Sequence, residues 1–208
     1  MRDYWTRRIS REITRGLPAE EKRLNVLMAW TQNHIRPIPA GWPVMDDHIL
    51  YTIIRGTGES EQKADVFTTL SSYAGTPSFW AVVKPGSGTK ERLILSFAFI
   101  EGRWTVWDVG RGISFRRKDG SLAIVSELSK DPALISFNVG RLRHQGRAYS
   151  EYLLKGLPHF FVPEFTRPQK QMPGPRVLFE LKRLGIRLRN GWKSEDERKF
   201  DPQIVFWD

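Results

Sequence analysis

The residues of this chain best suited to chemistry are one serine, one aspartate and four histidines. Ser60 stands just past a glycine turn, Gly56-Thr57-Gly58, where a segment of helical periodicity begins. Many enzymes present a nucleophile in this way, because the unpaired N–H groups and the positive end of the helix dipole favour developing negative charge. Asp108, in 101-EGRWTVWDV-109, is of the type that orients a base. His34, His48, His144 and His159 are scattered, and no two of them show the i, i+4 spacing of a metal pair. The chain has no cysteine, so disulfides, thiolate nucleophiles and thiolate metal ligands are excluded. No metal and no other cofactor is expected.

Each of these residues also has a plainer role. A serine at the start of a helix can serve as its N-cap, which is worth about 1 kcal/mol. To act as a nucleophile it needs a base within hydrogen-bond reach, since the helix end alone supplies at most about 2 kcal/mol. No histidine lies between positions 49 and 143, but the fold could bring His48, His144 or His159 close. Asp108 at a strand end can bond a turn amide or pair with Arg111. Trp104 and Trp107 fall on opposite faces of one strand. One is expected in the core, and the other is a candidate binding platform unless a C-terminal arm covers it.

The elements that position these residues are set by apolar spacing and turn signals. A first helix over 3–14 places Trp5, Ile9 and Ile13 on one face. A second runs from Pro18 to about His34 with Leu24, Leu27 and Trp30 inward, and 36-RPIPAGWP-43 breaks the chain after it. A third, central helix covers 60–73, with Ala64, Phe67, Leu70 and Ala74 on its apolar face and Gly75 as its stop. Beyond Gly75 the period falls from 3.6 to 2. Strands are expected over 78–84, 92–100, 104–109 and 113–116, with a hairpin at Lys118-Asp119-Gly120. Short helices are expected over 122–128 and 145–154. The run 163-PEFTRPQKQMPGPR-176 reads as a loop, and a basic helix after it turns Val177, Leu181 and Leu184 inward and Lys182 and Arg183 outward. Asn190-Gly191 suggests a final turn. The class is α+β, helices packed on an antiparallel meander, with a domain over 1–162 and an arm packed on it over 163–208.

A hydrophobic fraction of 40% is enough for a core, and no apolar run reaches the ~18 residues of a membrane span. The charged start, MRDYWTRRISREI, lacks the apolar centre of a signal peptide, so a soluble, cytoplasmic chain is expected. The net charge is +10, and residues 140–208 carry 14 Lys and Arg against 8 Asp and Glu. Acidic residues are interspersed, which favours a solvated basic surface over a nucleic-acid site.

Glycine turn, Ser60, Ala64 and the 101–109 segment occur in an order that resembles the transglutaminase-like family, within the papain-like cysteine-protease superfamily. The lead-in 27-LMAWTQNHIRPIP-39 also looks like that family's, and the resemblance spans about 20–115. The resemblance implies a Cys–His–Asp triad. Its cysteine falls on Ser60, its histidine on the 93–96 stretch, which has none, and its aspartate on Asp108. A degenerate member is therefore expected, its triad broken and its cleft binding a protein or glycan through Trp104, Trp107 and Arg111. One rival is a serine hydrolase or acyltransferase using Ser60, a remote histidine and Asp108. The other is a binder of nucleic acid or an anionic surface through Lys182, Arg183, Arg187 and Arg189.

Overall fold

A computed structural model describes residues 2–45, 48–157, 162–163 and 166–184. Four helices come first: α1 (Arg2–Ile13), α2 (Glu20–His34), α3 (Ile49–Arg55) and α4 (Ser60–Tyr73). A four-stranded antiparallel sheet comes next, in the order β1 (Ser78–Val83), β2 (Leu93–Ile100), β3 (Arg103–Asp108), β4 (Ile113–Ser114). Then come α5 (Val125–Leu128), α6 (Pro132–Val139), a small hairpin of β5 (Arg143–His144) and β6 (Arg147–Ala148), α7 (Tyr149–Gly156), α8 (Arg167–Gln171) and α9 (Pro173–Arg183). The class is α+β. Among the described residues no helix is long and apolar enough to cross a membrane.

α4 is the central helix, and it is buried far beyond the apolar face that its spacing predicts. Every residue from Lys63 to Ser71 is buried. Two of its buried hydroxyls bond their own helix: Thr68 Oγ1 donates to the Ala64 carbonyl at 2.8 Å and Ser71 Oγ to the Phe67 carbonyl at 2.7 Å. α1 meets α4 through a similar device. Ser10 Oγ donates to the Leu70 carbonyl at 2.7 Å, and the stripe α1 buries is Thr6 and Ser10, continued by Thr14. The expected face is therefore corrected: Trp5 is exposed, and Ile9 and Ile13 are half-buried beside the polar stripe.

The sheet is covered on both faces. Toward α2 and α4 it turns Ala98, Ile100, Trp107 and Val109, with the Trp107 ring 5.7 Å from that of Phe67. Toward α5, α6 and α7 it turns Leu93, Leu95, Phe97, Trp104 and Val106, which pack with Leu128, Ile135, Tyr149 and Leu153. Strand alternation sends Trp104 and Trp107 to opposite sides, and each side is core. The expectation of a tryptophan binding platform is overturned, since Trp104 is 7% exposed and Trp107 not at all. The second helical layer explains it: α6 and the β5–β6 hairpin, neither expected from the sequence, build that side with α7.

The 163–176 run is not all loop. α8 opens on a reciprocal cap, in which Gln169 N donates to Thr166 Oγ1 at 3.3 Å and Thr166 N to Gln169 Oε1 at 2.8 Å. α8 packs on α4 and β1, burying Pro168 and Gln169. α9 packs on α8, with Lys170 Nζ 4.6 Å from the centre of the Phe179 ring. Its inward set differs from the expected one: Val177 and Leu184 are exposed, while Leu178, Phe179 and Leu181 are half-buried. The Asn190-Gly191 turn and the arginines at 187 and 189 lie outside the described residues.

Candidate functional site

The glycine turn fixes the start of α4. Gly56 ends α3 in the left-handed region at φ 68°. Arg36 then clamps the turn: its N–H donates to the Gly56 carbonyl and its own carbonyl accepts from Gly58 N, both at 2.9 Å. At Gly58 a Cβ would stand 3.1 Å from Ile35 and from the Gln62 side chain. Ser60 begins the helix as expected but is not its N-cap. That position belongs to Glu59, whose N–H donates to Gln62 Oε1 at 3.0 Å, so Ser60 is the first helical residue. Its side chain is exposed, and among the described residues its hydroxyl has no hydrogen-bond partner.

The fold does bring Ser60 and Asp108 together. They flank Gly110, where a Cβ would lie 3.1 Å from Ser60 Oγ and 3.2 Å from Asp108 Oδ1. Asp108 is 1% exposed and densely bonded. Its Oδ1 accepts from Arg111 N at 3.0 Å, and its Oδ2 accepts from Arg111 Nη1 at 2.9 Å and from the Tyr149 hydroxyl at 2.6 Å. Turn amide and arginine, the two plainer partners expected of Asp108, are both present. Burial, and then the Asp108 charge, push the Tyr149 phenol well above its ordinary pKa, so it stays a donor.

Arg111 carries the chain of bonds onward. Its Nη2 donates to His144 Nδ1 at 2.6 Å, and its guanidinium lies over the Tyr149 ring, 5.5 Å from the centre. His144 Nε2 meets the Arg92 carbonyl at 2.8 Å. A carbonyl only accepts and a guanidinium only donates, so His144 is the neutral Nε2–H tautomer with its Nδ1 lone pair occupied. The Arg92 side chain then returns to α4 through an ion pair with Glu61 at 3.3 Å. α4, β2, the end of β3, the β5–β6 hairpin and α7 thus converge around one point.

The other described histidines are structural. His34 stacks on Trp30 with ring centres 4.4 Å apart and donates through Nε2 to the Ile53 carbonyl at 2.9 Å. His48 caps α3, its Nδ1 accepting from Leu50 N at 3.3 Å, and burial followed by Arg2 and Arg167 lowers its pKa. His159 lies outside the described residues. None of the three described histidines bonds Ser60. No group of three or more His, Asp or Glu side chains among the described residues could hold a metal.

Beside the first turn of α4 runs a cleft of about 310 Å³, lined by Val44, Met45, Glu59, Glu61, Asp65, Trp80 and Arg167 among others. At its floor the buried Asp65 accepts from Trp80 Nε1 at 3.3 Å and pairs with Arg167 of α8 at 3.1 Å. Sequence reasoning missed Tyr149, Arg92, Glu61 and this cleft. Only Gly110, two residues past Asp108, carried a local signal of close approach.

No family model matches the chain, and no curated protein matches it. Among solved structures it is similar to a "putative protease" from Parabacteroides distasonis ATCC 8503, at 16% identity and a TM-score of 0.39, over 51% of this chain and 26% of that one. A likeness of that size assigns neither a family nor an activity.

Proposed function

We propose that this chain is a transglutaminase-like domain without acyl-transfer chemistry, and that it works as a binding module for a protein or a glycan. The observation that carries this reading is the closed chain Tyr149–Asp108–Arg111–His144–Arg92. In a working triad the carboxylate orients a histidine whose second nitrogen faces the nucleophile. Here Arg111 stands between carboxylate and imidazole, and both imidazole nitrogens are used. Ser60 is left with a helix end and a nearby carboxylate, and among the described residues no histidine base to take its proton. With Trp104 and Trp107 in the core, the contact surface is the cleft beside Glu59 and Glu61, where Trp80 supplies aromatic area and the carboxylates supply acceptors.

A fluorophosphonate probe on the unmodified protein tests this. No labelling at Ser60 is expected. Stoichiometric labelling at Ser60 that disappears when one of the four histidines is changed to alanine would make the chain a serine hydrolase or acyltransferase and overturn the reading.

A further inference from the structure

Away from the cleft floor, the outward faces of α1 and α3 combine exposed apolar side chains with an excess of arginine. Tyr4 is 57% exposed, Trp5 45%, Tyr51 50% and Ile54 79%. These residues form one surface. The Tyr4 and Trp5 rings lie 5.3 Å apart, Arg8 sits over the Trp5 ring at 5.6 Å, and Arg2 reaches from α1 to Tyr51 of α3, donating to its hydroxyl at 3.3 Å. Ile54 stands three residues beyond Tyr51 on the same helical face. α1 carries Arg2, Arg7, Arg8 and Arg11 against Asp3 and Glu12, and Asp3 is already engaged by the Tyr73 hydroxyl and Arg7. Contiguous exposed apolar side chains on a folded chain mark interaction sites.

We propose that this face docks on an anionic lipid surface, with Trp5, Tyr4, Tyr51 and Ile54 entering the headgroup region and the α1 arginines pairing with lipid phosphates. Tryptophan and tyrosine suit the interface because each has an apolar body and a polar tip. Arginine matches phosphate through its planar fork. Ile54, the most exposed of the four, finds apolar surroundings in a bilayer and none along a nucleic-acid backbone, which sets lipid ahead of nucleic acid. Docking is peripheral and salt-sensitive, because arginine attraction to charged lipid decays within a Debye length.

The full chain is sedimented with vesicles of phosphatidylcholine alone and of phosphatidylcholine mixed with phosphatidylglycerol. Binding to the mixed vesicles only is expected, weakening as salt rises. Two independent variant pairs on exposed positions, Trp5→Ala with Ile54→Asp and Arg8→Glu with Arg11→Glu, each weaken it by at least about tenfold. Failure to sediment with the mixed vesicles overturns the proposal, as does undiminished binding by both pairs. Binding lost with the arginine pair but untouched by the Trp5 and Ile54 pair makes the face a general polyanion site and also overturns it. Self-association abolished by the Trp5 and Ile54 pair, without lipid binding, overturns it too and makes the face a contact between copies of this chain.

Discussion

A hydroxyl that caps a helix and one that merely stands at its first position differ in what their loss costs. Ser60 holds no hydrogen bond among the described residues, so Ser60→Ala is expected to move unfolding stability by no more than about 0.5 kcal/mol. Gln62→Ala removes the acceptor for Glu59 N and the donor to the Met45 carbonyl, and is expected to cost about 1 kcal/mol in urea unfolding. The reverse order would return the cap to Ser60. Tyr149 gives a pH signature. Its folded pKa lies above its unfolded value of about 10, so the unfolded chain releases the phenolic proton first as pH rises. The stability it supplies is whole below about pH 10 and is lost above it. Tyr149→Phe lowers stability at neutral pH by about 1–3 kcal/mol, since Asp108 loses a donor, and flattens the alkaline decline. Tyr73, raised by burial and by its bond to Asp3, adds to the same slope and serves as the comparison.

Elements meet in this molecule through missing side chains as much as through present ones. At Gly156, near the end of α7, a Cβ would stand 2.3 Å from Val83 Cγ1 and 2.7 Å from the Lys84 carbonyl oxygen at the end of β1. Backbone cannot yield as a flexible side chain does. Gly156→Ala is therefore expected to destabilise by about 1–3 kcal/mol, read as a lowered denaturation midpoint at unchanged slope. This contact also marks where sequence reading stops. The bounds of α4 and the β1–β2–β3 meander were legible because the glycine turn before Ser60 and the change of period at Gly75 set them. α6 was not, since PALISFNV has no apolar stripe to mark a face. α8 was readable in retrospect, because Thr166 and Gln169 stand at capping-box spacing, but the surrounding prolines outweighed that signal. In the site, Ser60 and Asp108 were found by order along the chain. Their approach across Gly110, and the interposition of Arg111 before His144, depend on where β3 ends and where a hairpin thirty-odd residues later folds back, which no local pattern encodes.

At the scale of the whole molecule, α8 ties the C-terminal arm to the central helix. The buried Asp65 carboxylate is paired with Arg167, and Pro168 and Gln169 are buried against α4 and β1. A chain ending at residue 162 takes the Arg167 guanidinium away from that buried carboxylate, and is expected to melt several degrees below the full chain. A peptide of residues 163–208 should show no cooperative transition by calorimetry, because α9 buries no residue fully. The same arm has a consequence for self-assembly. β1 pairs with β2 on one side only, and α8, which packs on α4, also packs on β1. Its sequence, SFWAVV, is apolar, uncharged and free of proline. Such a strand with a bare edge recruits copies of itself. A protease that cut before Thr166 would free β1 of its contact with α8, and its products are expected to accumulate as cross-β aggregates while the intact chain stays dispersed.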